Sequence, residues 1–523
     1  MRLRRFFNKA IWLFVYKVPW KPLLIWGPWV FILGILLFYG IENWRGKRAL
    51  DHVLAEAKKE GYSLDCQDYA PEINDTPSNL ASHSIFDKAQ NKTLNKTKHL
   101  MKMGRAPIGI STNRTDFKKP RDLRLLTAKI DFKLWLEPSI RPTTEREAVE
   151  KLDEILKSRK ELLDNFFAAQ KNKTLSSNTR PEEFVRPNQN NHLSFQIQFL
   201  SISQACSEDA LFACILGDID RALERLETCQ LLLDAQVPQV LFGKLIDSHI
   251  QSESNKIAEK ILRSQIANSE QLQRLNQLLS NSLVEDFEQT ILGEMAFQMA
   301  VSEHLTKNRH LLTTDDPLTA ALVSAGLTAK STKLEEILAE ALDFLLRRIP
   351  SGWIRKAYAA NLEESLTQIH DLDFKKLEDR RLFLERASQP EQKSSFVHDL
   401  LGMDNAQLWK NPFTKLQRIE MERHLMRIAT QLELYRMKEG DYPNHLTQLP
   451  VAVEADFFSG EALRYKLKDD GTPHLWSIGP DQIDDGGLPS QLENHHTRSD
   501  LVWMLTPIAG LSQRDWRRVL REK

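Results

Sequence analysis

The sequence predicts a mainly α-helical chain with a single N-terminal transmembrane helix, an irregular α-helical array and a small C-terminal α+β domain with an antiparallel sheet. Three observations predict it. Leu23 to Ile41 is a run of 19 consecutive uncharged, mostly apolar residues, about what an α-helix needs to cross a hydrocarbon core of roughly 30 Å. Apolar residues then recur at helical spacing from about 122 to 439, the mark of core-facing helices. After Gly440 the period changes: Ala462–Lys468 and Pro473–Gly479 alternate as strands do, with Asp469-Asp470-Gly471 between them as a hairpin turn.

The anchor is read from its flanks. Residues 1–22 carry Arg2, Arg4, Arg5, Lys9, Lys17 and Lys21 with no Asp or Glu, interleaved with Phe6, Phe7, Trp12, Phe14, Tyr16 and Trp20. Basic residues before a span mark the cytoplasmic side, and aromatic residues favour the membrane interface. A cleaved signal peptide would end in small residues, whereas Glu42-Asn-Trp-Arg-Gly-Lys-Arg48 follows here with charge and bulk. A core helix is the other alternative. No later segment approaches 18 apolar residues. The expected placement is therefore a single pass through the inner membrane of a bacterial cell, with 1–22 cytoplasmic, 23–41 in the bilayer and the bulk periplasmic. The whole chain of 523 residues holds 71 basic and 71 acidic side chains, so no global field attracts nucleic acid. A protein partner is expected.

Residues 42–121 divide into a juxtamembrane helix, stopped at Gly61, and an irregular extended stretch with Pro71, Pro77, Pro107 and Pro120. Asn74, Asn91, Asn95, Asn113 and Asn172 each open an Asn-x-Thr triplet, a glycan acceptor in a eukaryotic secretory protein and merely polar surface in a bacterial one. The array spans 122–404. Thr144–Gln170 has an apolar side and opposite charges at i, i+4 spacing, and Thr332–Arg348 has a capping box and two arginines in its last turn. In Ala205–Gln236 two amphipathic stretches meet at Gly217-Asp218, with Ala210, Ala213 and Ala222 at close-packing positions. That turn resembles one unit of a tetratricopeptide-type hairpin; a second copy near 34 residues away is missing, so an irregular array is expected. Of four cysteines, Cys206 or Cys214 could pair with Cys229 in an oxidising compartment, and buried free thiols are the alternative.

Signatures such as H-E-x-x-H, G-x-S-x-G, the phosphate loop and paired C-x-x-C do not occur. His495 and His496 are adjacent, so on an extended backbone they point apart, which is poor geometry for one metal. Residues 405–510 hold the denser cluster. Leu432–Leu449, Asp456–Tyr465 and Leu475–Gly487 together resemble the head domain of the major pseudopilins of bacterial type II secretion. In those proteins a helix ends in Tyr-x-x-x-x-Gly-x-Tyr-Pro, an Asp-Pro-x-Gly loop follows, and a small sheet leads into a calcium-binding loop. The resemblance covers about 70 of the 523 residues. It implies Asp481, Asp484, Asp485 and Asp500 as calcium ligands, and calcium does favour carboxylates and carbonyls in a turning loop. Two positions depart: Phe457 replaces the family's proline and Gln482 its glycine. The alternative is a turn with solvated carboxylates and no ion. The helix before this head is charged and lies far from the anchor, so the resemblance does not carry filament assembly with it. Residues 511–523 form a basic tail.

The order of anchor, Trp44–Leu50 segment, helical hairpin, Ile349–Trp353 turn and pseudopilin-like tail resembles a group of bacterial membrane-anchored helical proteins with no assigned activity. The leading expectation is an envelope protein that binds or scaffolds outside the cytoplasm and is not an enzyme. One alternative is a secretion or pilus accessory protein whose tail contacts pseudopilins. Another is an envelope enzyme with a site between helices, using carboxylates such as Glu294 or Asp404.

Overall fold

The computed structural model describes residues 20–70, 79–87, 136, 138–170, 174–177, 191–308, 348–388, 409–469, 471–487 and 500–504. The basic N-terminal segment up to residue 19, all five Asn-x-Thr asparagines, the Thr332–Arg348 helix apart from its last residue, Asp404, His495, His496 and the basic tail lie outside them. In chain order the helices are α1 (Trp20–Lys59), α2 (Glu145–Ala169), α3 (Asn191–Leu216), α4 (Ile219–Leu233), α5 (Leu241–Ser264), α6 (Ser269–Leu278), α7 (Phe287–Lys307), α8 (Ser351–Ile369), α9 (Leu377–Arg386) and α10 (Lys410–Glu439). The strands are β1 (Arg464–Leu467), β2 (Pro473–Ser477) and β3 (Leu501–Met504). The chain divides into two compact units: one holds 1–63, 298–367 and 391–405, the other 64–297, 368–390 and 406–523.

In the first unit α1 is the helix long and apolar enough to cross a membrane. Its 40 residues extend about 60 Å at the helical rise, roughly twice the hydrocarbon core. Trp26, Trp29, Phe31 and Leu36 are exposed along its apolar half, whereas Leu50, Val53 and Ala57 form a buried stripe further on. Between the two, α1 crosses the start of α8 closely enough that only glycine fits. A Cβ on Gly46 would lie 2.0 Å from the Gly352 carbonyl oxygen, and one on Gly352 would lie 1.9 Å from that of Glu42. The Asn43 side chain accepts from the Ser351 hydroxyl and the Gly352 N–H, each at 2.9 Å. It thereby satisfies a donor that the first turn of α8 would otherwise leave unpaired. Trp353 Nε1 donates to Glu42 at 3.0 Å and its ring meets Phe38 edge-on.

In the second unit α3 and α4 form the expected hairpin. Gly217 at φ +79° ends α3, with the Asp218 N–H donating to the Ala213 carbonyl, and Asp218 then caps α4 by accepting from the Arg221 N–H. Glycine is needed for the left-handed turn and aspartate for the restart. Ala210, Ala213 and Ala222 are fully buried. Inside the α2–α3–α4 contact lies a chain of ion pairs: Arg225 bridges Asp209 (2.7 Å) and Asp164, Arg221 also holds Asp209, and Arg159 pairs with Glu208. Cys206, Cys214 and Cys229 are buried free thiols. Burial pushes the Cys214 thiol up to about 12; a hydrogen bond donated to Cys206, then burial, holds Cys229 well above the ordinary range.

α10 packs against α5, α6 and the sheet. Its buried Arg423 pairs with Glu420 and donates to the Leu279 carbonyl, while Glu420 accepts from the Leu283 N–H. Phe287, Phe374, Phe383, Trp409 and Phe413 stack into one aromatic cluster at its start. The sheet is antiparallel in the order β1-β2-β3, with Leu475 facing Tyr465 on one side and Trp503 on the other. The Asp-Asp-Gly turn joins β1 to β2, with Gly471 at φ +77°.

Candidate functional site

The carboxylate loop folds back over one face of β2. Trp476 Nε1 donates to Asp484 Oδ1 at 3.0 Å, the His474 ring reaches the Gly487 carbonyl at 3.0 Å, and the two rings lie 4.7 Å apart. Asp484 also accepts from the Gly486 N–H and from Arg464. Hydrogen bonds from Trp476 and Gly486, then Arg464, hold its carboxyl below the usual range. Asp481 turns inward and accepts from the Ile483 N–H at 3.3 Å. Asp485 is exposed. Asp500 is buried; one oxygen accepts from the Gly487 N–H at 2.7 Å and the other has no partner. Burial raises the Asp500 carboxyl, against the pull of the Gly487 and Asp485 amides.

Calcium needs six to eight oxygens drawn to one centre. Among the described residues, no three of these four carboxylates bring an oxygen within 4.8 Å of one another, and Asp484 is committed to an arginine and an indole. Residues 488–499, between the loop and Asp500, lie outside the described ones. Gln482 nevertheless adopts φ +59°, the left-handed conformation that glycine would reach without strain. The backbone turn is present without the residue that makes it easy.

Residues to which sequence reasoning gave no structural role hold the region together. Asp456, 1% exposed, accepts from the Phe458 N–H (2.8 Å), the Ser477 hydroxyl (3.0 Å) and the Ile478 N–H (3.0 Å), which ties the Asp-Phe-Phe-Ser-Gly loop to the end of β2. Phe457 stacks on the His424 ring at 5.4 Å and lies under the Arg380 guanidinium at 5.1 Å. His424 is buried with neither ring nitrogen hydrogen-bonded; the nearest charge is Glu454 at 3.9 Å. Burial, opposed by Glu454 and assisted by Arg423 and Arg427, lowers its pKa.

Beside this loop opens a cleft of about 1620 Å³, entirely within the second unit. α5, α9 and α10 form its walls, and the Phe457-Phe458 turn, Pro480 and β3 complete it. The α5 and α10 walls are fixed to each other by Asn255, whose Nδ2 donates to the Ile419 carbonyl at 2.9 Å and whose Oδ1 accepts from Gln251. Its charged groups have both signs, among them Lys256, Arg263, Lys410, Glu378 and Glu385. The lining also holds polar atoms without partners: both ends of the Gln417 amide, the Trp503 indole N–H and one Asp500 oxygen. Asp500 is one of the carboxylates that the resemblance implied and Trp503 lies three residues further on, but Gln417 carries no signal beyond a polar residue on a helix. Glu294, one candidate for catalysis, accepts from the Leu241 N–H at the start of α5; it is not in the cleft lining. No family model, curated protein or solved structure matches the chain.

Proposed function

We propose that the chain is a single-pass membrane-anchored binding protein, its N-terminus cytoplasmic and its body displayed outside the cytoplasm, where the cleft of the second unit holds a partner. The cleft is the observation that carries the reading. Its lining mixes amide, hydroxyl and paired charges such as Asn411, Thr414, Arg418 and Glu422, which donate and accept hydrogen bonds. Such groups hold a ligand rather than transform it. The α3–α4 hairpin, read as a tetratricopeptide-like unit, supports the same role by packing against α5, one wall of the cleft, from behind. α1, exposed along its apolar half, supports the anchor.

The test is topology. A periplasmic-type phosphatase fused after Lys523 is expected to be active in cells, with the chain retained in carbonate-washed membranes. Activity confined to a cytoplasmic reporter, or release of the chain by carbonate, refutes the reading.

A second reading, an accessory protein of secretion whose tail contacts pseudopilins, draws its support from the left-handed Gln482 at the position where those proteins carry glycine. Its test is co-purification of the full chain with a major pseudopilin; no association in either detergent or membranes refutes it.

A further inference from the structure

We infer that Cys206 and Cys229 are a disulfide pair that cross-links α3 to α4 when the chain meets a disulfide oxidant, and that the structure shows the reduced form. Formation of the bond in the cell rests on the exported placement of the body; the pairing of these two sulfurs does not.

The register of the hairpin carries the inference. Cys206 stands eleven residues before Gly217 and Cys229 eleven after Asp218, so two antiparallel helices leaving that turn bring them level. Ala213 and Ala222, four residues before Gly217 and four after Asp218, form an equivalent level about two helical turns nearer the turn. All four side chains are 0% exposed and belong to one core. Both levels therefore lie on the seam between the helices, where alanine permits close approach. The distance follows. Packed helices run about 8–10 Å apart and each Cα stands about 2.3 Å from its axis, so level residues on facing sides have Cα atoms roughly 3.5–5.5 Å apart. A disulfide spans about 4.4–6.8 Å. The thiols are already in contact, with Cys229 donating its proton to the Cys206 sulfur.

The same register excludes the other cysteines. Cys214 stands three residues before Gly217, level with Arg221, and at 1.5 Å per residue it falls about 12 Å short of Cys229 along the axis. Cys66 lies in a short helical turn upstream of α2, outside the hairpin. Compartment adds the oxidant, since disulfides form and persist outside the cytoplasm. The bond closes a loop around Gly217-Asp218 and locks the hairpin that packs against α5.

The step is thiol–disulfide exchange. One cysteine gives up its proton and its thiolate attacks a sulfur of the oxidant's disulfide; a mixed disulfide forms, and one oxidant sulfur leaves as a thiolate and is protonated. The thiolate of the second cysteine then attacks the protein sulfur of the mixed disulfide. The Cys206–Cys229 bond forms, and the second oxidant sulfur leaves in the same way. Two electrons pass from the cysteines to the oxidant, and two protons end on its thiols. Because both sulfurs are buried in the finished fold, exchange takes place while the hairpin is closing.

The experiment is cell-free synthesis of the full chain into nanodiscs, in parallel in reduced glutathione and in a mixture of oxidised and reduced glutathione. Remaining thiols are blocked with a maleimide in denaturant, and peptides are mapped by mass spectrometry without reduction. The mixed buffer is expected to yield one peptide pair joined through Cys206 and Cys229, with Cys66 and Cys214 labelled; the reduced buffer is expected to yield four labelled cysteines. Cys214→Ser is expected to leave the bond unchanged. The bond is expected to raise the folded-to-unfolded ratio by about two orders of magnitude, the scale for a loop of this size, read as a higher urea midpoint. The inference is overturned if Cys206 and Cys229 are both labelled in the mixed buffer, if Cys229 is joined to Cys214, or if the cross-linked chain resists urea no better than the reduced one. Glutathione is supplied from outside, so this result does not depend on which side of a membrane the body occupies. Thiols trapped by acid quenching of cells answer that separate question: a chain that pairs in the buffer yet is fully reduced in cells refutes the exported placement and leaves the pair standing.

Discussion

Replacing Gly352 by alanine tests the close crossing of α1 and α8 inside the first unit. The new Cβ would meet the Glu42 carbonyl oxygen at 1.9 Å, its carbon at 2.5 Å and the Asn43 Cα at 2.7 Å. All three are backbone atoms, so no side chain can swing aside, and α8 must retreat from α1 by more than an ångström to regain ordinary contact. That movement breaks the two Asn43 hydrogen bonds at 2.9 Å and stretches the Trp353–Glu42 bond at 3.0 Å. Two neutral bonds at about 1 kcal/mol each and one to a carboxylate at about 1.5–3 kcal/mol give a loss of about 3–5 kcal/mol. Water reaches these part-buried groups and returns some of it, which leaves about 2–4 kcal/mol, a large share of a typical domain's stability. The assay is thermal unfolding of the full chain in nanodiscs, paired with limited proteolysis, because loss of this contact opens the first unit locally. Gly40→Ala is the control, since a Cβ there meets nothing within 4 Å. Gly352→Ala is expected to melt several degrees lower and to be cut early. Equal melting and equal proteolysis of the two variants would refute the crossing.

Four further outcomes follow from single side chains. Asp456→Ala strands the Phe458 and Ile478 N–H groups and the Ser477 hydroxyl, and at about 1–3 kcal/mol per orphaned group it is expected to lower stability by roughly 3–9 kcal/mol in chemical denaturation, with Asp456→Glu giving only partial rescue. Arg225→Ala leaves the fully buried Asp209 with only Arg221 beside it, so a loss of about 3–5 kcal/mol is expected, seen as a lower urea midpoint. His424, its pKa lowered mainly by burial, binds a proton more readily unfolded than folded. Its contribution is therefore complete above the unfolded value of about 6.5 and is lost as pH falls below it, so His424→Phe is expected to flatten the acid side of the stability profile. Among the cysteines, Cys66 is part-exposed while Cys206, Cys214 and Cys229 are buried. A maleimide is expected to label one site in the native reduced chain and the others only in denaturant.

Local chemistry made much of the fold readable. Nineteen uncharged residues announce α1, Gly217-Asp218 announces the end of one helix and the cap of the next, and Asp469-Asp470-Gly471 announces a hairpin. Each of these is decided within a few residues, by backbone φ, by one capping oxygen or by the period of the apolar pattern. Gly46 and Gly352 are different. Either one, taken alone, reads as a weak point in a helix; their purpose is visible only when two segments some 300 residues apart cross and each glycine meets the other's backbone.

The site is harder to read for the same reason. Carboxylates attract attention in a sequence because they can bind metals, yet Asp484 is occupied by Arg464 and Trp476, and Asp456, which resembles an ordinary loop aspartate, secures the loop to the sheet. A side chain's availability depends on what the rest of the chain leaves unpaired around it. Gln417 illustrates this: on α10 its neighbours Leu416 and Ile419 identify a buried face, and periodicity assigns a polar residue there to tolerated packing. Only the folded structure shows that this amide, on a residue beside the cleft, is buried with neither its donor nor its acceptor paired. Sequence reasoning therefore finds residues that could react, whereas the groups left unpaired are defined by hydrogen bonds the fold has not made.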